Sequence, residues 1–273
     1  MTNTTILVIG STGKTGKRVA DRLEKRGVAV RHGSRSADIP FDWDSPQTWA
    51  AALEGVDKVY LTYHPDLAVP GSVEAVSKLT ELAKDAGVRR LVLLSGRNEA
   101  EAEKAERVVM ASGLEWTIAR CAFFAQNFSE GAWLDEVLAG TVSLPVDDVQ
   151  EPFVDADDIA DVAVAALTDD RHAGQVYELT GPRLLSFRDA VAEIGKAAGR
   201  DIGFVSVPIE EYAAMLAEYG LPQDFIWLLN HLFTTVLGSK VQLADGVQRA
   251  LGREPKDFTD YADDTAATGV WTV

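Results

Sequence analysis

Short apolar runs alternate with amphipathic segments through the first half of the chain. The runs predict strands at TILVI (5–9), VAVRHGS (28–34), IPFDW (39–43), DKVYLTY (57–63), RRLVLLSG (89–96) and EWTIAR (115–120). Between them, apolar residues recur at helical spacing, as Val76, Leu79 and Ala83 do before the stop at Gly87. Strands that alternate with helices in this way predict an α/β fold, a doubly wound parallel sheet with helices on both faces.

The pattern becomes less regular in the second half of the chain. One more helix (155–169) and one more strand (174–181) precede a sequence that is helical in pattern nearly throughout. We therefore expect residues 1–150 to form the sheet domain, with sheet and helix contributions from about 151–180. Residues 181–273 are expected to form a small, mostly helical C-terminal lobe that binds the substrate.

Composition and charge narrow the possible partners. The chain has 273 residues, 47% of them hydrophobic, which is enough for a sizeable core. Its 42 acidic and 26 basic residues give a net charge of −16, so general binding to nucleic acid is not expected. A single cysteine, Cys121, excludes a disulfide framework and suits a reducing compartment. With no charged leader and no apolar stretch long enough to span a bilayer, we expect a cytoplasmic protein without a membrane partner.

Three interpretations compete for the opening loop, GSTGKTG. A Walker A phosphate loop requires a glycine five residues before Gly13, and Val8 stands there instead. A plain strand-to-helix turn is the second interpretation. The third is a dinucleotide-binding loop with the spacing Gly10-x-x-Gly13-x-x-Gly16, in which glycines let the backbone approach a pyrophosphate at a helix N-terminus. The strand before the loop and the helix after it favour this third interpretation.

The end of the second strand indicates which dinucleotide binds. Folds that bind NAD usually carry an acidic residue there, which accepts a hydrogen bond from the ribose 2′-hydroxyl. Here Arg35 stands between Ser34 and Ser36, and an arginine flanked by hydroxyl groups suits a 2′-phosphate. Together with Lys14, these residues predict NADP(H) as the cofactor.

Longer stretches of the sequence resemble a known family. They are GSTGKTG, AGVRRLVLLSG, SGLEWTIARCAFFAQNF, FVDADDIADVAVAAL, YELTGPRLLSFRDA and LGREPKDFTDYA, and together they extend over nearly the whole chain. They resemble the NmrA-like atypical short-chain dehydrogenase/reductases, and within them the festuclavine dehydrogenase type of ergot alkaloid biosynthesis. The resemblance implies a Rossmann-fold NAD(P)-binding domain, a small substrate lobe and a small-molecule substrate, in a monomer or homodimer.

The resemblance also implies roles for individual residues. The pyrophosphate is expected at Gly10, Ser11, Thr12, Gly13, Lys14, Thr15 and Gly16. The 2′-phosphate is expected at Ser34, Arg35 and Ser36, the adenine at Asp42 and Trp43, and the ribose and nicotinamide at Thr62, Tyr63, Ser95 and Gly96. An aromatic substrate pocket is expected at Phe123, Phe124, Asn127, Phe128 and Trp133. For Trp43, Phe123 and Phe124, core packing is an equally good explanation.

Two departures from the dehydrogenase pattern bear on mechanism. No tyrosine has a lysine four residues later, so the usual Tyr-x-x-x-Lys proton donor is missing, and Ala102 stands where many NmrA-like reductases have a histidine. The scattered histidines and Cys121 have no metal-ligand spacing, so no metal is expected. We therefore expect Tyr63 and Ser95 to orient an activated acceptor, an iminium, quinone or enone, rather than to donate a proton. The alternative is an NADP(H)-binding redox sensor or regulatory protein without turnover.

Overall fold

The computed structural model describes residues 4–131, 133–239 and 241–273. The chain forms two compact units, each assembled from three separate segments. The first unit contains Met1–Cys121, Ala156–Leu179 and Asp245–Arg253; the second contains Ala122–Asp155, Thr180–Ala244 and Glu254–Val273. These units are defined by packing. The predicted division into a cofactor domain and a substrate lobe is a division by function, and it stays a prediction.

Strands and helices follow one another closely along the described residues. The strands are β1 (Thr5–Ile9), β2 (Ala29–Gly33), β3 (Lys58–Leu61), β4 (Arg90–Gly96), β5 (Glu115–Cys121), β6 (Thr141–Leu144), β7 (Gln150–Glu151), β8 (Gln175–Leu179), β9 (Leu185–Ser186) and β10 (Gly203–Ser206). The α-helices are α1 (Lys14–Lys25), α2 (Trp49–Leu53), α3 (Ser72–Asp85), α4 (Ala100–Ala111), α5 (Leu134–Ala139), α6 (Ala156–Thr168), α7 (Phe187–Ala198), α8 (Ile209–Glu218), α9 (Gln223–His231), α10 (Gly246–Leu251) and α11 (Phe258–Ala267).

The first unit is built on a parallel sheet with the strand order β2-β1-β3-β4-β5-β8. Alternate residues of β1 enter different cores: Ile6 and Val8 pack with α1 and α6 on one face, and Leu7 and Ile9 pack with α2, α3 and α4 on the other. The apolar strands are therefore covered on both sides, and the predicted doubly wound parallel sheet is confirmed. Strand β1 has β2 as its neighbour on one side and β3 on the other. The strand order therefore reverses direction between β1 and β3, which makes this boundary a topological switch point.

The second unit packs helices and two small sheets around an aromatic core. Its helices are α5, α7, α8, α9 and α11. Strand β10 pairs in parallel with β6, and β7 pairs antiparallel with β9. At the start of α7 the Ser186 hydroxyl accepts a hydrogen bond from the Asp189 backbone N–H at 3.0 Å, as an N-terminal cap does. Within the described residues, no helix is long and apolar enough to cross a membrane.

The predicted strand at 39–43 is wrong. These residues form an irregular loop in which the Phe41 N–H donates to the Ser34 carbonyl oxygen at 3.0 Å. Pro40 has no N–H for a strand ladder, and the apolar residues of this segment are aromatic anchors of the loop instead. Phe41 is buried in the core, and its ring lies 5.1 Å from that of Trp43.

Candidate functional site

The glycine loop is folded tightly against the first turn of α1. Gly10 follows β1 with φ +69° and donates its N–H to the Gly33 carbonyl at 2.8 Å; a Cβ added to Gly10 would lie only 2.7 Å from Thr62 Oγ1. A side chain on Gly16 would overlap the Gly10 carbonyl oxygen. Glycine is therefore required at both positions, by backbone conformation at Gly10 and by close approach at Gly16. Thr12 and Gly13, in the middle of the loop, are exposed beside the switch point.

The first turn of α1 has the features of an anion site. It carries no acidic side chain, and the N-cap residue Gly13 supplies no side-chain acceptor for the free N–H groups of the turn. The Ser11 hydroxyl oxygen is buried and makes no hydrogen bond to any residue that the structure describes. A buried hydroxyl without a partner is uncommon in a folded protein, and a phosphate oxygen at the loop would supply one. The loop therefore fits the pyrophosphate of a dinucleotide.

Arg35 lies in the turn that follows β2, at the same edge of the sheet as the glycine loop. Because Ile9 is paired with Gly33, both strands end at the same level. Arg35 is exposed, and among the described residues it has no ion-pair partner. The flanking hydroxyl oxygens of Ser34 and Ser36 lie 3.4 Å apart. A free guanidinium between two hydroxyl groups fits an additional phosphate group.

Trp43 and Tyr63 form an aromatic pair at the carboxyl end of β3. Their ring centroids are 4.7 Å apart, and the Trp43 indole N–H donates to the Thr62 carbonyl at 3.1 Å. Asp42 anchors the same loop, since its carbonyl accepts the Trp49 indole N–H at 2.7 Å. Burial, with the nearby carboxylates of Asp44 and Glu74, raises the pKa of Tyr63. Its phenol is therefore neutral and a weaker acid than a free tyrosine.

The Ser95 hydroxyl is already engaged within the protein. It is buried and donates to Glu106 Oε1 at 2.6 Å. Glu106 also pairs with Arg120, whose Nε lies 2.9 Å from Glu106 Oε1, and Arg120 reaches Glu178 at 3.1 Å. The carboxylates of this network raise the pKa of Arg120. Because its proton points to Glu106, Ser95 is poorly placed to donate to a ligand.

A buried carboxyl group lies directly against Gly96, at the end of β4. It belongs to Glu99, the N-cap residue of α4, which is 7% exposed. A side chain on Gly96 would overlap this carboxyl group, so glycine makes room for it. Burial, followed by the charge and hydrogen bond of Asp66 and by the charge of Glu106, holds the pKa of Glu99 well above its usual range.

The predicted substrate residues all lie in the second unit. Phe128 and Trp133 are core residues, 0% and 2% exposed, with ring centroids 4.7 Å apart. Phe123 is half-buried and stacks near-parallel to Trp133 at 6.5 Å. Phe124 and Asn127 are also half-buried. Contact with a substrate stays a prediction for all five, and only Phe123, Phe124 and Asn127 keep an appreciable exposed surface.

Comparison with known proteins identifies the family. A family model described as the NmrA-like family matches residues 2–262. The chain belongs to the NmrA-like family. This NmrA-like chain is 32% identical to festuclavine dehydrogenase of Aspergillus fumigatus, with 96% of this chain and 98% of that protein covered, so the predicted resemblance is confirmed. It is 30% identical to NAD(P)H azoreductase of Xenophilus azovorans, with coverage of 96% and 98%.

The NmrA-like chain also shares its fold with a solved reductase. The triphenylmethane reductase of Citrobacter sp., solved as a complex with NADP(H), superposes with a TM-score of 0.74 at 19% identity. The match covers 96% of this chain and 99% of that one. At this level of identity the likeness concerns the fold, and it agrees with the predicted Rossmann-type sheet.

Sequence reasoning missed the charged residues at the carboxyl ends of β4 and β5 in this NmrA-like protein. Glu99 is the first acidic residue of a helix, where a carboxylate usually does no more than complement the helix dipole. The available signal was weak: Glu106 falls on the inward face of α4, together with Ala102, Ala105 and Val109. An acid on an apolar helix face predicts an oppositely charged partner, which is Arg120.

Proposed function

We propose that this protein is an NADPH-dependent reductase that transfers hydride to an activated small-molecule acceptor: an iminium or imine, a quinone or an enone. The observation that carries the proposal is the loop at the β1–β3 switch point, with its unpartnered Ser11 hydroxyl, together with the unpaired Arg35 beside it. The reductase class and the cofactor agree with relatives that bear the names dehydrogenase and NAD(P)H azoreductase.

The first unit supplies the groups that would hold the cofactor. Residues 10–16 and the N-terminus of α1 would bind the pyrophosphate, and Arg35 with its neighbouring serines would bind the 2′-phosphate. The Asp42–Trp43 loop would flank the adenine, while the ends of β3 and β4 would face the ribose and nicotinamide. When bound, NADPH supplies the hydride; the protein positions the acceptor against it.

The state of Tyr63 and Ser95 supports an activated acceptor. A neutral ketone that takes up a hydride becomes an alkoxide, which needs a strong general acid. An iminium becomes a neutral amine, and a quinone becomes a stabilised anion. Tyr63 has a raised pKa and the Ser95 proton is held by Glu106, so both side chains are suited to orienting an acceptor rather than to protonating it.

The decisive experiment is a measurement of NADPH consumption with a panel of iminium ions, quinones, enones and simple ketones. We expect steady oxidation of many equivalents of NADPH with the first three classes and little with ketones. Binding of NADPH without turnover of any acceptor would instead support the alternative, a redox sensor or regulatory protein.

A further inference from the structure

Two carboxyl groups of the first unit meet at the carboxyl ends of β3 and β4, and no role above uses them. Glu99 lies against Gly96, and its side chain is hydrogen-bonded to that of Asp66, in the turn after β3. Strands β3 and β4 are parallel neighbours, with Leu61 paired to Leu93, so both turns lie at the edge where open α/β sheets bind ligands. We call these two residues the carboxyl pair.

The hydrogen bond within the carboxyl pair requires a proton. An ionised carboxylate can only accept hydrogen bonds, so two carboxyl groups bind each other only when one is protonated. Glu99 is buried, whereas Asp66 is half-buried, and Asp66 Oδ1 also accepts the Ala68 N–H at 2.8 Å. The Oε2 atom of Glu99 is buried without a hydrogen-bond partner among the described residues, and it therefore has capacity for one more contact.

Glu106 and Cys121 interact electrostatically with Glu99, and Arg97 lies near Cys121; Arg120 and Glu178 are the ion-pair partners of Glu106 and Arg97. The cations are paired with other carboxylates, Arg97 with Glu178 at 3.6 Å and Arg120 with Glu106. Cys121 is a buried thiol whose pKa is raised by burial and by Glu99, so it contributes no charge near neutral pH. The N-terminus of α4 favours a charged Glu99, but burial beside Asp66 and Glu106 opposes that charge.

We propose that Glu99 and Asp66 share one proton and are the proton source for enone acceptors, whose reduction leaves a resonance-stabilised enolate. This inference rests on the proposed reductase function. With an enone, hydride adds to the β-carbon and the electron pair moves to the carbonyl oxygen. The O–H bond of the Glu99 carboxyl then breaks as an O–H bond forms on that oxygen, and the enol product tautomerises in water. Glu99 is reprotonated through Asp66, which reaches solvent.

The kinetic test compares two acceptors that differ in their need for a proton. Glu99→Gln keeps the size of the side chain and can still hydrogen-bond to Asp66, but it has no acidic proton. We expect the kcat for an enone to fall by about 100- to 1,000-fold, the lower part of the range for general acids. The kcat for an iminium ion should change by less than about twofold, since its reduction needs no proton. The matched control is Glu103→Gln, a partly exposed carboxylate on the same helix.

Equal effects of Glu99→Gln on both acceptors, including no effect on either, would overturn the proton source while leaving the reductase function in place. A wild-type protein that oxidises NADPH with neither acceptor would overturn the reductase function and, with it, this inference.

A second readout needs neither cofactor nor turnover. Infrared spectroscopy of the unliganded protein at neutral pH should show the C=O stretching band of a protonated carboxyl group. The band should be lost in Glu99→Gln, shift in Asp66→Asn, which changes the hydrogen-bond partner of Glu99, and persist unchanged in Glu103→Gln. Absence of this band from the wild-type protein would overturn the shared proton.

Discussion

Two sets of polar groups, at opposite ends of the main-sheet strands, differ in how their hydrogen bonds are completed. At the amino ends of the strands, the fully buried Arg90 donates to Glu115, to Asp170 and to the carbonyls of Ala166 and Asp169, at 2.6–2.9 Å. Lys58 there donates to the Leu167 carbonyl at 2.6 Å.

At the carboxyl ends of the strands, the Ser11 hydroxyl and Glu99 Oε2 are buried without hydrogen-bond partners among the described residues, and the exposed Arg35 has no ion-pair partner there. This difference indicates that a ligand binds at the carboxyl ends of the strands. The hydrogen-bonded Arg90 network stabilises the fold, whereas the unsatisfied groups at the carboxyl ends lie where a bound ligand would complete them.

The largest expected effect is on stability, from a substitution at the amino ends of the strands. Arg90→Met should lower the free energy of unfolding by about 3–5 kcal/mol, because it leaves buried acceptors unpaired. Urea denaturation gives this value, and NADPH titration of the folded variant should show an affinity within about threefold of wild type. A variant of wild-type stability would contradict the structural role of Arg90.

At the carboxyl ends of the strands, we expect a substitution to change the affinity for NADPH and to leave the stability of the fold nearly unchanged. Arg35→Ala should weaken NADPH binding by about 10- to 100-fold, which corresponds to about 1.5–3 kcal/mol for a charge-assisted contact. NADH binding should be unaffected, and stability should change by less than about 0.5 kcal/mol. Fluorescence titration with both cofactors tests this, with the exposed Arg26→Ala as control. Equal affinity of the wild-type protein for NADPH and NADH would refute the assignment of Arg35.

Smaller effects are expected from the two orienting residues. Tyr63→Phe and Ser95→Ala should each slow turnover by about tenfold or less, against the 10²–10⁴ typical of losing a general acid. Steady-state kinetics with an iminium and an enone acceptor measure this. A thousandfold loss in Tyr63→Phe with normal NADPH binding would show that Tyr63 is a proton donor after all.

The smallest effect concerns the pH dependence of stability. The pKa of Glu99 is raised in the folded protein, so above the pKa of an unfolded glutamate the folded state holds more protons than the unfolded state. Stability of the wild type should therefore fall as pH rises from that value toward the raised pKa. In Glu99→Gln this contribution to the pH dependence of stability is absent. The melting temperature of the variant should therefore rise relative to that of the wild type as pH increases. Parallel melting curves across this range would exclude a raised pKa at Glu99.

The sequence predicted the main sheet well because its strands are short, β-branched or apolar segments bounded by helical patterns, and this local signal needs no knowledge of the neighbours. It predicted the glycine loop for the same reason, since the strand before Gly10 and the helix that begins at Lys14 are local features. The strands of the second unit were missed. They contain two to four residues each, and such short pieces depend on pairing with distant segments, as β10 does with β6.

The carboxyl pair could not be predicted for a related reason. Glu99 and Asp66 are far apart in the sequence, and each is an ordinary polar residue beside a turn. Only the packing of the β4 end against the β3 turn buries them together. Gly96 held a hint, since its missing side chain is what admits the Glu99 carboxyl group.

The three-segment construction of the first unit has a consequence for folding. Helix α10 comes late in the chain, yet it packs on β8 so closely that a side chain on Gly246 would overlap the Glu178 carbonyl. The neighbouring Arg253 forms ion pairs with Asp158 at 2.6 Å and Asp161 at 2.7 Å. The last segment of the first unit is therefore synthesised only after most of the second unit has been made. Closing such long loops favours slow, cooperative folding, and no single cut in the chain separates a complete first unit from the residues of the second.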